Sequence, residues 1–342
     1  MNSLPKPPEY FVEHLRRLGR HLRDSVLRTR KTKVSLAGVA RESLADTIYE
    51  IDAHLEPVLV KFCEDWAREL PLTLIAEGVK DENGQEGQVT FPKGTPPEKA
   101  AFLLLVDPID GTRGIMYDKR SAWVLAGVAP VKEGGLAAAR LVDIQVAMQC
   151  EIPTSKQTMS DLLWAVRGGG AHGLRDDLVT NKHTAIVLHP STADTIAHGF
   201  AMIVSFFPGT KQLAAALMEE IAEKLLGPPE PGKALVFDDQ YISTGGQFYE
   251  MMVGHDRFNA DLRPLLYQIL KQPLGLCCHP YDCASALVAQ EAGAILTDGL
   301  GDPLDGPLDT HTPLSFAAFA NAGLREKVEP IMLDFLMRRG LE

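Results

Sequence analysis

The stretch Leu103–Gly114, LLLVDPIDGTRG, runs an apolar segment straight into two carboxylates, a proline, two glycines and a threonine. The run AFLLLV before it is continuously apolar, as expected of a strand buried on both faces. Asp107 ends that run, so its carboxylate is placed at the strand tip. Pro108 fixes φ and removes a backbone donor, which stops the ladder. Asp110 and Gly111 then make a turn, where glycine permits backbone conformations other residues resist. If Asp110 to Thr112 open a short helix or nest, their N–H groups are available to an anion. The segment thus offers two carboxylates for a hard cation beside amides for a phosphate. The plain alternative is a strand, an N-cap aspartate and a turn with no ligand. Phosphatases with a nucleophilic aspartate use D-x-D-x-T, with carboxylates two apart. Here they are three apart, which fits an aspartyl-phosphate route poorly.

The bulk of the chain bounds the answer further. Its 342 residues, 45% hydrophobic, suffice for one large domain or two medium ones with a substantial core. A net charge of −11 argues against nucleic acid or an anionic membrane as the main partner. The basic segment Arg16 to Lys33 is interleaved with leucines at helical spacing, and reads as a solvated helix face. The N-terminal sequence lacks the pattern of a secretory signal, and no apolar run is long enough to span a bilayer. Five cysteines without framework spacing suggest a reducing compartment, so the expected location is cytoplasmic. The cluster CCHPYDC, Cys277 to Cys283, has ligand types for zinc but no second ligand pair elsewhere. Buried thiols acting as small hydrophobes explain it better.

Two helical patterns open the chain, Tyr10 to about Arg30 and Arg41 to about Leu70. Strand-like runs follow: LTLIAEG, AAFLLLVD, SAWVLAGVAP, LAAARLVDIQVAMQ and LLWAVRGGGA. They predict a largely antiparallel sheet. Beyond it, strands such as TAIVLHP and ALVFDD alternate with helices, one of them around Gly246 to Val253. LLGPPEPGKA reads as a loop within that alternation. The pattern predicts layered α and β structure in two lobes, 1–178 and 179–342, within one unit.

The segment VDPIDGT resembles the signature of the inositol monophosphatase superfamily, which includes fructose-bisphosphatases and bisphosphate nucleotidases. The likeness extends from about Thr32 to Gly323. Upstream, IAEG supplies Glu77 where the family carries a metal-ligating glutamate. The segment DTIYEIDAHLEPVLVKF resembles the one that carries an aspartate near the attacking water, either Asp52 or Asp46. Downstream, HPYDCASALVAQEAGAILTD is similar to the family pattern W-D-x-A-A followed by an apolar helix. It aligns Asp282 with a metal ligand and puts Tyr281 in place of the tryptophan. STGGQFYEMMVGHDRF resembles a later helix whose glycines approach the substrate, here Gly245 and Gly246. The region KQPLGLCC carries no carboxylate where many relatives bind sugar hydroxyls.

The resemblance implies an αβαβα sandwich, and Mg²⁺-dependent hydrolysis of a small phosphate monoester such as an inositol or sugar phosphate. Glu77, Asp107, the Ile109 carbonyl, Asp110 and Asp282 would hold two or three Mg²⁺ ions, an all-oxygen set suited to a hard cation. Thr112, with Asp52 and Glu77, would serve the attacking water, while Asp110, Gly111 and Thr112 would contact the substrate. Arg113 departs from the usual family residue, and either grips a second anionic group of the substrate or makes a surface salt bridge. The alternatives are a bisphosphate nucleotidase or sugar bisphosphatase, and a non-catalytic relative that binds phosphate ligands. Lithium sensitivity and a homodimer follow from the same likeness.

Overall fold

The computed structural model describes residues 3–32, 39–42, 47–81, 84 and 86–341. Helix α1 (Pro8–Thr32) buries Phe11, Leu15, Leu18, Leu22 and Val26, spaced three to four apart along one face. A two-stranded antiparallel ribbon follows, β1 (Val39–Glu42) with β2 (Thr47–Tyr49), and then α2 (Glu50–Trp66). The helix expected from Arg41 therefore starts at Glu50. Thr47-Ile48-Tyr49 is β-branched and aromatic and stays extended. The Asp52 carboxylate then caps α2 by accepting the Tyr49 N–H at 2.9 Å.

The first sheet has eight strands: β3 (Leu72–Lys80), β4 (Glu86–Phe91), β5 (Phe102–Asp110), β6 (Ala122–Pro130), β7 (Val146–Ile152), β8 (Met159–Val166), β9 (Ala171–Asp177) and β10 (His183–Ile186). Their order is β10-β9-β8-β7-β6-β5-β3-β4, and every neighbouring pair is antiparallel except β3 with β5. The strand-like run before Gln149 is shorter than its apolar pattern, because Gly135–Ala138 and Leu141–Asp143 form 3₁₀ turns. The sheet also runs past residue 178, since β10 pairs with β9, His183 opposite Asp176. Side chains of β5 alternate between two cores. Phe102, Leu104 and Val106 pack with α1 and α2, while Leu103 and Leu105 face the second lobe. That double burial is why the run before Asp107 contains no polar position.

Helix α1 does not present its basic stripe to solvent alone. Arg20 and Arg23 both bond Asp176 of β9 at 2.8 Å, and Arg23 is only 5% exposed. The stripe docks the helix on the sheet, because a buried arginine requires a paired carboxylate.

After α3 (Thr112–Met116) in the first lobe, the second lobe contains α4 (Lys211–Leu226), α5 (Thr244–Met252), α6 (Arg263–Leu270), α7 (Ala286–Glu291) and α8 (Ala322–Arg338). Its sheet comprises β11 (Gly199–Ile203), β12 (Val236–Phe237), β13 (Asp256–Asp261), β14 (Ile295–Thr297) and β15 (Phe316–Phe319), in the order β12-β11-β13-β15-β14. Helices α5 and α7 touch strands of both sheets, whereas α4 and α8 pack together beyond the second. The layers are therefore α1/α2, sheet, α5/α7, sheet, α4/α8, a mixed α/β sandwich as expected. LLGPPEPGKA is the loop between α4 and β12. Among the described residues no helix is long and apolar enough to cross a membrane.

Candidate metal centre

Strands β3 and β5 run parallel with Ala76 opposite Val106, so the chain positions that follow them are Glu77 and Asp107. Asp107 still pairs with Leu125 of β6, and the ladder resumes only at Asp110, opposite Trp123. Pro108 and Ile109 form the bulge between them. Asp107 Oδ1 accepts the Ile109 N–H at 2.9 Å, which fixes that carboxylate across the bulge. Gly111, at φ +93°, then turns the chain into α3. A side chain there would be strained, and its Cβ would lie 3.0 Å from the Ser243 Cβ.

Asp110 points into the start of α5. Its Oδ2 accepts the Ser243 hydroxyl at 2.7 Å and the Gly245 N–H at 2.6 Å, and its Oδ1 accepts the Thr244 N–H at 3.3 Å. Asp282 lies in the 3₁₀ turn Pro280–Cys283, where its Oδ2 accepts the His279 N–H at 2.6 Å. Single carboxylate oxygens of Asp107, Asp110 and Asp282 lie within 4.8 Å of one another. Burial first, and then the charges of Asp110 and Asp282, push Asp107 well above the usual carboxylate range. Burial and Asp282 raise Asp110 to about 7, against the lowering effect of its bonds to Ser243, Gly245 and Thr244. Three carboxylates held this close repel when ionised. A hard divalent cation with oxygen ligands is the partner such a donor set fits.

The remaining predicted residues fall around this cluster. Thr112 Oγ1 is 2.8 Å from both Asp52 Oδ1 and the Ile109 carbonyl, and its one proton serves either acceptor. Asp52 thus links the cap of α2 to Thr112, while Asp46 lies outside the described residues. Glu77 lines the same cleft but is outside the three-carboxylate group. Tyr281 Oη is 3.5 Å from Glu77 Oε2. Arg113 lines the cleft too, its guanidinium 5.5 Å from the Tyr49 ring centroid.

Gly245 and Gly246 are buried behind the cleft wall, which Ser243 and Thr244 form instead. A Cβ on Gly245 would meet Leu125 Cδ2 at 2.5 Å and Asp110 Oδ2 at 2.9 Å. A Gly245→Ala substitution is therefore expected to displace Asp110 and destabilise the fold by about 1–3 kcal/mol. Thermal unfolding with and without Mg²⁺ checks this, since the metal-dependent gain should shrink as well.

All five cysteines are free and buried. Cys278 and Cys283 are 3.5 Å apart at sulfur, and burial pushes the Cys278 thiol well up, as expected of thiols that pack. The cleft is open to solvent on one side. Sequence patterns did not point to several of its lining residues: Tyr49, Ser243, Thr244, Phe206, Phe207 and Arg263. Ser243-Thr244 before two glycines is a readable helix start. The Phe206-Phe207 loop has no periodic signal.

No family model and no curated protein sequence matches the chain. Solved structures do match. The extragenic suppressor protein suhB of Bartonella henselae superposes with a TM-score of 0.62 at 15% identity, covering 94% of this chain and 98% of that one. Fructose-1,6-bisphosphatase of Leishmania major gives 0.62 at 13% identity, covering 98% and 99%. The chain has the fold of these solved structures. The Thermotoga maritima IMPase, at a TM-score of 0.57 and 14% identity, covers 97% of this chain and 98% of its own. The inositol monophosphatase fold thus accounts for nearly the whole chain, and at these identities the architecture is what is shared.

Proposed function

We propose that this protein is a Mg²⁺-dependent phosphatase acting on a small phosphate monoester. The observation that supports this most is the convergence of Asp107, Asp110 and Asp282 beside a threonine hydroxyl held by Asp52. Asp107, Asp110 and Asp282, with Glu77 and the Ile109 carbonyl, would hold the ions. Bound there, Mg²⁺ would supply Lewis acidity toward the phosphate and the attacking water.

The chain's own groups do the rest. Thr112 Oγ1 can pass its proton to Asp52 while taking one from water, so this pair orients the nucleophile and removes its proton. The Gly111 and Thr112 amides stand at the first turn of α3, where a phosphate oxygen can accept them. Ser243, Thr244 and Gly245 keep Asp110 oriented from behind. Inhibition by Li⁺ and a homodimeric state belong to the same reading.

The test is release of inorganic phosphate from a panel of inositol, sugar and nucleotide phosphates, with Mg²⁺ and with chelator. Release that requires Mg²⁺ is expected. Thr112→Val should lower kcat by about 10²-fold or more while the stabilisation by Mg²⁺ persists. No release from any ester, or full activity in Thr112→Val, would favour a phosphate-binding protein without turnover.

A further inference from the structure

A glutamine faces the core between the two sheets, in register with the carboxylate centre. Asp107 of β5 pairs with Leu125 of β6, and Leu125 pairs with Gln149 of β7. Residues directly opposed in antiparallel strands share a face of the sheet, so this row turns Asp107, Leu125 and Gln149 toward the second lobe. Leu163 of β8 continues the row opposite Gln149, and Leu125 and Leu163 belong to the core on that side. Gln149 is fully buried. Its amide has no solvent to bond, so its protein partners define what it does.

Those partners come from two separate segments of the second lobe. Gln149 Nε2 donates to the Gly245 carbonyl at 2.6 Å, and its Oε1 accepts the Ser285 hydroxyl at 3.0 Å. Gly245 is the residue whose N–H donates to Asp110. Ser285 is also fully buried; it immediately precedes α7 and follows the turn that carries Asp282. That turn packs on the same sheet, since a Cβ on Gly127 of β6 would lie 2.8 Å from the Ala284 carbonyl oxygen. The far end of α7 is held as well: Glu291 accepts the Gly168 and Gly170 N–H groups of the β8–β9 turn at 2.7 and 2.9 Å. One buried amide therefore joins the backbone behind Asp110 to the turn bearing Asp282, from the strand row that also contains Asp107.

Resting on the metal-dependent reading above, we propose that Gln149 is a positioning residue, which fixes Asp110 relative to Asp282 and thereby sets the affinity of the centre for Mg²⁺. Carboxylates that repel one another move apart unless their supports hold them. Groups that orient metal ligands from behind are commonly worth about 10- to 100-fold in metal affinity.

The experiment titrates Mg²⁺ calorimetrically into the parent, Gln149→Met, Ser285→Ala and the double variant. It also measures kcat and KM on whichever ester the parent hydrolyses. Gln149→Met keeps the side-chain length and removes both bonds; Ser285→Ala removes one and is the milder change. Mg²⁺ affinity should fall about tenfold or more in Gln149→Met. Its kcat should fall too, while KM for the ester stays within about twofold of the parent. Ser285→Ala should lose part of the same affinity, and the double variant should bind no more weakly than Gln149→Met, because both substitutions break one linkage. A glutamine that only stabilises the fold would lower the unfolding temperature in chelator and leave Mg²⁺ affinity unchanged, and that result overturns the proposal. So do losses that simply add in the double variant. If Gln149→Met does not fold, Ser285→Ala decides: weakened Mg²⁺ binding retains the proposal and unchanged binding overturns it. If no ester is hydrolysed, the phosphatase reading fails separately and the Mg²⁺ titration still decides the role of Gln149. A parent that binds no Mg²⁺ overturns both.

Discussion

Asp107→Asn is expected to cut phosphate release on the order of 10³-fold while making the metal-free protein more stable than its parent. The two effects share one cause. Asparagine keeps the shape and the acceptor for the Ile109 N–H, but it removes one of three clustered negative charges. Without a cation, that charge is a cost, since Asp107 is buried and faces Asp110 and Asp282. With a cation, it is part of the binding energy. The parent should therefore gain thermal stability on adding Mg²⁺, and the variant should gain little. Phosphate release together with unfolding curves in chelator and in Mg²⁺ checks both halves. A variant as active as its parent would remove Asp107 from the centre.

The metal-free protein should also lose stability as pH rises from about 4 to about 7, opposite to the usual behaviour of paired carboxylates. An unfolded aspartate titrates near 3.9. The folded protein raises Asp110 to about 7 and Asp107 well above the usual range, so it holds more protons than the unfolded chain across that window. Stability then falls with pH until those groups ionise. Asp256, also raised to about 7 by burial, contributes with the same sign. Asp176 and Asp118, lowered by their partners, act below this window, where their contribution is lost as pH falls. Mg²⁺ favours the ionised cluster but does nothing for Asp256. The difference between unfolding midpoints in Mg²⁺ and in chelator, followed from pH 4 to pH 8, isolates the cluster. It should widen with pH, and a constant difference would contradict the electrostatic account.

The sequence carried the central strand and its turn openly, because Asp107, Pro108, Asp110 and Gly111 act through local backbone chemistry. The layered α and β architecture was also legible from the order of patterns. Tertiary partners were not. Arg20 and Arg23 looked like a solvated stripe because Asp176 sits on β9, a strand that alternates too weakly to be read. The start of α2 was obscured by Thr47-Ile48-Tyr49, whose extended form is fixed by a side chain three residues downstream. Gly245 and Gly246 stood out as site glycines, yet their smallness serves the back of Asp110 and the Tyr241 ring.

The parallel pairing of β3 with β5 has one more consequence. Glu77 and Asp107 are aligned by the ladder itself, not by the segment that joins the two strands. The exposed loop 92–99 between β4 and β5 can change in length while the two acidic positions keep their spacing, whereas β4 itself is held by its pairing with β3 and by the buried Val89 and Phe91. A one-residue insertion inside β5 would do the opposite, turning Asp107 to the other face of the sheet. That loop is therefore the place to attach a reporter, and strand β5 is where no alteration of length can be absorbed.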